Sequence, residues 1–292
     1  MSHHLSWLEA SVIGVTQGVS ELFPVSSLGH SILVPALVGG QWARDLDVSA
    51  PESPYLAFIV GLHVATAAAL LLFFWRDWVR IVGGFFTSIR HRRIQTADER
   101  LAWLLILATI PVGVAGLLLE HAFRTVLAKP NPTALFLMLN GLILFAAERF
   151  RRRSHLPPDD VDGDARLARL PAVRAVLIGS AQIAALAPGI SRSGITMAAG
   201  LSRGLDHDDA ARFSFLLATP VILAAGVLKL PDLAGPLGNG IRGQVLLGSV
   251  LSFIGAYLSV RFLSRYFRTN SLRPFGWYCL AAGAVALVLV NR

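Results

Sequence analysis

Phe23-Pro24-Val-Ser26-Ser27-Leu-Gly29-His30 interrupts one apolar stretch, residues 5–40, and Pro188-Gly189-Ile-Ser191-Arg192-Ser193-Gly194 interrupts another, residues 172–205. Each stretch reads as two half-helices around a Pro/Gly/Ser turn. Neither half reaches the roughly 20 apolar residues that a crossing helix needs. Irregular backbone at membrane depth persists only where protein or a watery cavity satisfies its polar groups. Both stretches are therefore expected to be re-entrant hairpins.

Around these breaks the chain is strongly apolar. Its 292 residues are 54% hydrophobic and 15% charged, the composition of a membrane protein rather than a soluble domain. Six further segments are long enough to cross, at 55–75, 101–119, 133–150, 211–230, 244–263 and 275–290. The fold class is thus an all-α integral membrane protein. The formal charge of +8 sits in the stretches between apolar segments, which argues for loop charge that sets orientation and against a nucleic-acid partner. Cys279 is the only cysteine, so a disulfide framework and a cysteine metal site are both excluded.

The two hairpins also resemble each other. Gly14-Val-Thr-Gln17 answers to Gly179-Ser-Ala-Gln182 and Pro24 to Pro188, an offset of about 165 residues. Three crossings follow each hairpin, an odd number, so the second unit is expected upside down relative to the first. This gives an inverted repeat whose hairpin tips meet near the midplane. The first repeat is 1–150, the linker 151–171 and the second repeat 172–292. Most of the 26 Lys and Arg residues fall on the side holding 76–100, 149–174 and 265–273. The positive-inside rule makes that side cytoplasmic and places both termini outside. The stretch 151–169 reads as a mobile linker.

Ionisable groups inside a bilayer are costly, which singles out Glu21, His30 and Arg192 at the tips. Gln17 and Glu21 share one helix face at i, i+4. Ser26 or Ser27 is placed to cap the second half-helix of the first hairpin, and Ser191 and Ser193 do the same in the second. A half-helix N-terminus offers free N–H groups and a positive dipole end, and Arg192 can grip phosphate oxygens bidentately. A phosphorylated ligand fits such a place. His63 lies inside the first crossing and reads as a hydrogen-bonded core histidine rather than a cavity residue.

With these residues in view, 17–30 resembles the acidic motif of the undecaprenyl-pyrophosphate phosphatase family linked to bacitracin resistance, and 188–196 resembles that family's second signature. The resemblance spans essentially the whole chain. It implies metal-assisted hydrolysis of undecaprenyl pyrophosphate to the monophosphate in the bacterial cytoplasmic membrane, for cell-wall synthesis. It also implies functional positions at Glu21, Ser27, His30, Ser191, Arg192, Ser193 and Thr196. The first position of the acidic motif is often Glu in that family and is Gln17 here, a ligand without charge.

The expected catalytic set is accordingly Glu21, Ser27, His30 and Arg192. The substrate-binding set is Gln17, Ser26, Gly189, Ser191, Ser193, Gly194 and Thr196, with Glu21 and Gln17 beside a Mg²⁺ or Ca²⁺ ion. Ser27, His30 and a metal-activated water all stand as nucleophiles on sequence grounds. The expected partners are the polyprenyl pyrophosphate and the bilayer, and the sequence leaves self-association open. A transporter or flippase of a phosphorylated polyprenyl lipid is the alternative, because inverted repeats with broken helices build many transporters.

Overall fold

The computed structural model describes residues 5–47, 54–151, 163–234 and 240–292. Among them the chain is all helical, without a strand. The first hairpin is α1 (Trp7–Ser20) and α2 (Ser27–Val38), followed by the short α3 (Gly40–Asp45). Then come α4 (Pro54–Phe73), α5 (Trp75–His91), α6 (Ala97–Leu127), α7 (Pro130–Arg149) and α8 (Gly163–Ala168). The second hairpin is α9 (Ala172–Ser180), a 3-10 turn (Ala181–Leu186) and α10 (Arg192–Ser202). Three long helices close the chain: α11 (His207–Ala234), α12 (Arg242–Tyr266) and α13 (Arg273–Val290).

Five of these helices, α6, α7, α11, α12 and α13, are long and apolar enough to cross a membrane; a sixth crossing needs the pair α4 and α5. That pair bends by 87°. The crossing expected at 55–75 coincides with α4; what is corrected is the loop expected from residue 76, because the helix stops at Phe73 and the chain resumes as α5 at a right angle. Phe74 is buried against Phe73 and Phe215, while Arg76, Asp77 and Arg80 follow at once. Charges at that spacing do not continue into hydrocarbon, so the chain turns. The other crossings lie where expected but extend further, α6 beginning in a capping box at Thr96 and Glu99. Of the expected linker, 152–162 lies outside the described residues. Its last part is not loose chain but α8, where Asp164 pairs with Arg80 and Arg212, each at 2.8 Å, and Arg166 pairs with Asp209 at 2.8 Å.

Small residues let the helices approach closely. A Cβ on Gly14 or Gly18 of α1 would fall 2.6 Å from Gly248 O or 2.3 Å from Ser252 O of α12. One on Gly179 of α9 would fall 2.0 Å from Ala108 O of α6. The outer faces carry large exposed apolar side chains such as Leu117, Leu118, Leu246 and Trp277. A soluble monomer does not display such a surface. The chain is a multi-pass membrane protein.

Candidate active site

The two hairpin tips touch. Pro24 cannot donate a backbone hydrogen bond, and after it the chain turns through Ser26 at φ 67°, a left-handed conformation unusual for a residue with a side chain. The Ser26 hydroxyl then caps α2, accepting the Gly29 N–H at 3.2 Å. Ser191 caps α10 in the same manner, accepting the Gly194 N–H at 3.1 Å. Gly29 and Gly189 sit where the tips meet, and a Cβ on Gly29 would lie 3.2 Å from Gly189 Cα. Gly189 also has φ 108°, and its Cβ would fall 2.5 Å from Thr133 O, so glycine is required there.

Further bonds tie the tips together. Ser193 Oγ donates to the Phe23 carbonyl at 3.1 Å and Ser191 Oγ reaches it at 3.5 Å, with the two hydroxyls 3.0 Å apart. Asn140 of α7, fully buried, donates from Nδ2 to the Pro24 carbonyl at 3.0 Å and accepts the Ser191 N–H on Oδ1 at 3.0 Å. One amide therefore bridges both hairpins.

Glu21, buried, is the centre of the cluster. Its Oε2 accepts from Gln17 Nε2 at 2.8 Å and from the Ser27 hydroxyl, and lies 3.3 Å from His63 Nε2. Its Oε1 accepts from Arg192 Nη2 at 2.6 Å. His63 Nδ1 donates to Ile59 O at 2.9 Å, which fixes the ring and leaves Nε2 facing the carboxylate. Two buried polar atoms here have no partner: Arg192 Nη1 and Gln17 Oε1. An unpaired buried donor on a guanidinium that already grips a carboxylate is suited to an oxyanion.

Of the residues expected from sequence, Gln17, Glu21, Ser27 and Arg192 come together in one contact group. Ser26, Ser191, Ser193, Gly189 and Gly194 form its frame. Thr196 stands one turn back, its hydroxyl donating to Arg192 O at 2.7 Å. His30 is not part of the group: Nδ1 bonds Ser26 O and Nε2 bonds Tyr278 Oη, both at 2.7 Å, with the two rings stacked. His63, expected as a hydrogen-bonded core histidine, bonds Ile59 O and also faces Glu21, and Asn140 is the residue that sequence reasoning passed over. Each is a lone polar side chain within an apolar helix, the same signal that singled out Glu21.

Among the described residues no group of three or more His, Cys, Asp or Glu side chains could hold a metal ion. A hard cation such as Mg²⁺, however, is commonly held by one or two carboxylates, with substrate phosphates and water completing its shell. The Glu21 carboxylate and the orphaned Gln17 Oε1 one turn away fit that smaller donor set.

The profile of the family described as "Bacitracin resistance protein BacA" matches residues 10–285. The chain belongs to this family. It is 66% identical to the "Undecaprenyl-diphosphatase" of Mycolicibacterium paratuberculosis, over 99% of this chain and 98% of that one. It is 51% identical to the "Undecaprenyl-diphosphatase 1" of Frankia casuarinae, over 97% of this chain and 98% of that one. With the "Undecaprenyl-diphosphatase 2" of Chromobacterium violaceum the identity is 44%, over 96% and 98%. The family's match runs from α1 to α13, so both hairpin tips lie inside it.

Proposed function

We propose that this enzyme hydrolyses undecaprenyl diphosphate to undecaprenyl phosphate in the bacterial cytoplasmic membrane, returning the carrier lipid to peptidoglycan synthesis. The observation that carries the reading is the Glu21 carboxylate, which holds the Ser27 hydroxyl on one oxygen and Arg192 on the other. A base joined to a hydroxyl nucleophile, beside a guanidinium with a free donor, is an arrangement for phosphoryl transfer. Transport requires no such nucleophile, and the named relatives are phosphatases.

The prenyl tail stays in lipid while the diphosphate lies between the tips. Ser27 Oγ attacks the terminal phosphorus as Glu21 takes the hydroxyl proton, and the bond from that phosphorus to the bridging oxygen breaks, releasing undecaprenyl phosphate. The proton taken by Glu21 leaves with the departing phosphate; water then attacks the phosphoserine, Glu21 takes its proton and returns it to Ser27 Oγ as the P–Oγ bond breaks, and inorganic phosphate is released. Arg192 holds the non-bridging oxygens through Nη1 as their charge changes. His63 steadies the carboxylate from the α4 side. His30 acts through Ser26, whose carbonyl it holds, and so positions Ser27. Glu21 and Gln17 would hold Mg²⁺ or Ca²⁺, which when bound neutralises phosphate charge.

An inverted repeat underlies this site. It is supported by matched packing: α1 lies on α12 as α9 lies on α6, and α4 meets α11 as α7 meets α13. With the basic side cytoplasmic, Asn291 lies outside and Asp206 inside. Single cysteines at those positions, in a Cys279→Ser background, should label from opposite faces; labelling from one face would reverse this reading.

The decisive experiment is phosphate release by the purified protein given undecaprenyl diphosphate, with Ser27→Ala as the control and rapid quench to trap a phosphoserine. Activity in the parent, a trapped species, and none of either in the variant are expected. Substantial turnover by Ser27→Ala would move the nucleophile to water.

A further inference from the structure

Helix α5 has three stripes. Ile81, Gly84 and Ser88 are buried, and a Cβ on Gly84 would meet the backbone at the start of α6, 2.8 Å from Glu99 N. Trp75, Val79, Val82, Phe86 and Ile89 recur at intervals of four and three and are about half exposed or more, the lowest being Val82 at 47%. Arg76, Arg80 and Arg90 lie one position on from members of this stripe, so they run beside it, about 100° around the helix. Among the described residues no helix covers the apolar stripe. A helix turned 87° from the preceding segment, with an exposed apolar stripe bordered by arginines, has the form of one lying in the plane of a membrane interface.

At its first turns, between α5 and Arg212 of α11, there is an open depression of about 640 Å³ lined by Trp75, Arg76, Asp77, Val79, Arg80 and Arg212. Three guanidiniums stand against two carboxylates here, Asp77 in the lining and Asp164 behind it, which leaves one positive charge in excess. Two of them are held rigidly: Arg80 bonds Asp77 and Asp164, each at 2.8 Å, and Arg212 bonds Asp164 at 2.8 Å and Asp77 at 3.0 Å. Arg212 also lies over the Phe74 ring and Arg76 over the Trp75 ring. Fixed arginines with Trp75 and Val79 beside them offer a phosphate grip continuous with an apolar wall. The place is separate from the Glu21 cluster, since His63 and Phe73 are ten residues apart on α4, about 15 Å along its axis.

We propose that this depression is a binding site for the phosphate headgroup of an anionic phospholipid, whose acyl chains lie along the apolar stripe of α5. An inorganic anion would use the arginines alone. A lipid uses both the arginines and the stripe, which is why the pair of features points to it. Juxtamembrane cations attract anionic lipid at about fivefold in affinity each.

The test uses the full-length protein in detergent, with phosphatidylglycerol or phosphatidylcholine added and bound lipid counted by native mass spectrometry. Phosphatidylglycerol should be retained in clear preference, and Arg76→Gln should reduce that retention about fivefold. Arg80 and Arg212 brace the depression, so their removal could disturb the fold; Val79→Ser instead tests the apolar wall and should also weaken retention. Both variants should keep phosphatase turnover on a short-chain soluble diphosphate. Equal retention of the two lipids would overturn the proposal. So would Arg76→Gln and Val79→Ser both matching the parent, or displacement of phosphatidylglycerol by millimolar glycerol phosphate, which would mark a simple anion site.

Discussion

The two hairpins use the same capping register and put different chemistry into it. Ser26, Ser27 and Gly29 open α2 as Ser191, Arg192 and Gly194 open α10: in each, the cap hydroxyl accepts the glycine N–H three residues on. The residue after the cap reaches the same carboxylate in both, Ser27 on Oε2 and Arg192 on Oε1 of Glu21. The remaining polar groups differ. The first hairpin brings the carboxylate itself and a cap at positive φ. In the second, Ser191 has an ordinary φ of −80° and the serine hydroxyls serve the Phe23 carbonyl. The lesson is that the two hairpins share a backbone device while the first-turn side chain differs, a hydroxyl in one and a guanidinium in the other, the difference on which the proposed mechanism rests.

The sharpest way to break this contrast is at the shared carboxylate. Glu21→Gln keeps the shape but removes the base, and phosphate release should fall by about 10²–10⁴-fold. A near-normal rate would show that the Ser27 hydroxyl needs no base. Next in size is Arg192→Lys, which keeps charge but not the planar pair of donors; kcat should drop by on the order of 10²–10³. If the lysine variant turns over normally, the second hairpin contributes charge alone.

The serines separate the hairpins further. Ser191→Ala removes a cap and should lower stability by about 1 kcal/mol, read by thermal unfolding, with turnover reduced far less than in Ser27→Ala. Equal losses from the two would mean that both hairpins carry reactive hydroxyls. His30→Ala should lie between these cases, since His30 acts through the Ser26 carbonyl; activity as low as that of Glu21→Gln would give it a direct part in proton transfer. The smallest effect is expected at Gln17. Gln17→Ala should cost little, whereas Gln17→Glu sets two carboxylates at i, i+4 and should make phosphate release depend more steeply on added Mg²⁺. An unchanged metal response would remove Gln17 from the ion's surroundings.

The apolar helices and the two broken stretches were legible because membrane depth imposes simple rules on length, composition and breaks. Pro24, Pro188 and the serines after them marked both tips. The elbow at Phe74 was not legible, since hydropathy reports where apolar residues stop and not the direction that the helix then takes. Glu21 and Arg192 stood out as charges in apolar surroundings. His63 has the same signature, but whether a histidine faces a cavity or a neighbouring carbonyl depends on the rotation of α4, and here it meets both Ile59 O and Glu21. His30 shows the converse: its spacing from Ser27 gave no hint that Tyr278, 248 residues away, engages its Nε2. A lone polar side chain in an apolar helix marks Asn140, but what it does was not legible, because its partners come from two other segments.

The pairing of Glu21 with Arg192 joins residues 171 positions apart, and this has a consequence for biogenesis. A charged side chain at the bilayer centre costs on the order of 3 kcal/mol during translocon insertion, and the first hairpin leaves the ribosome long before Arg192 is made. Its nascent partners appear in sequence: Gln17 and Ser27 from the hairpin itself, His63 once α4 has formed, and the guanidinium only after α10 is synthesised. Until then the carboxylate has Gln17, Ser27 and His63 as its neighbours. Arrival of α10 therefore gives the buried Glu21 charge its guanidinium partner, and on the proposed mechanism the same event completes the reacting group.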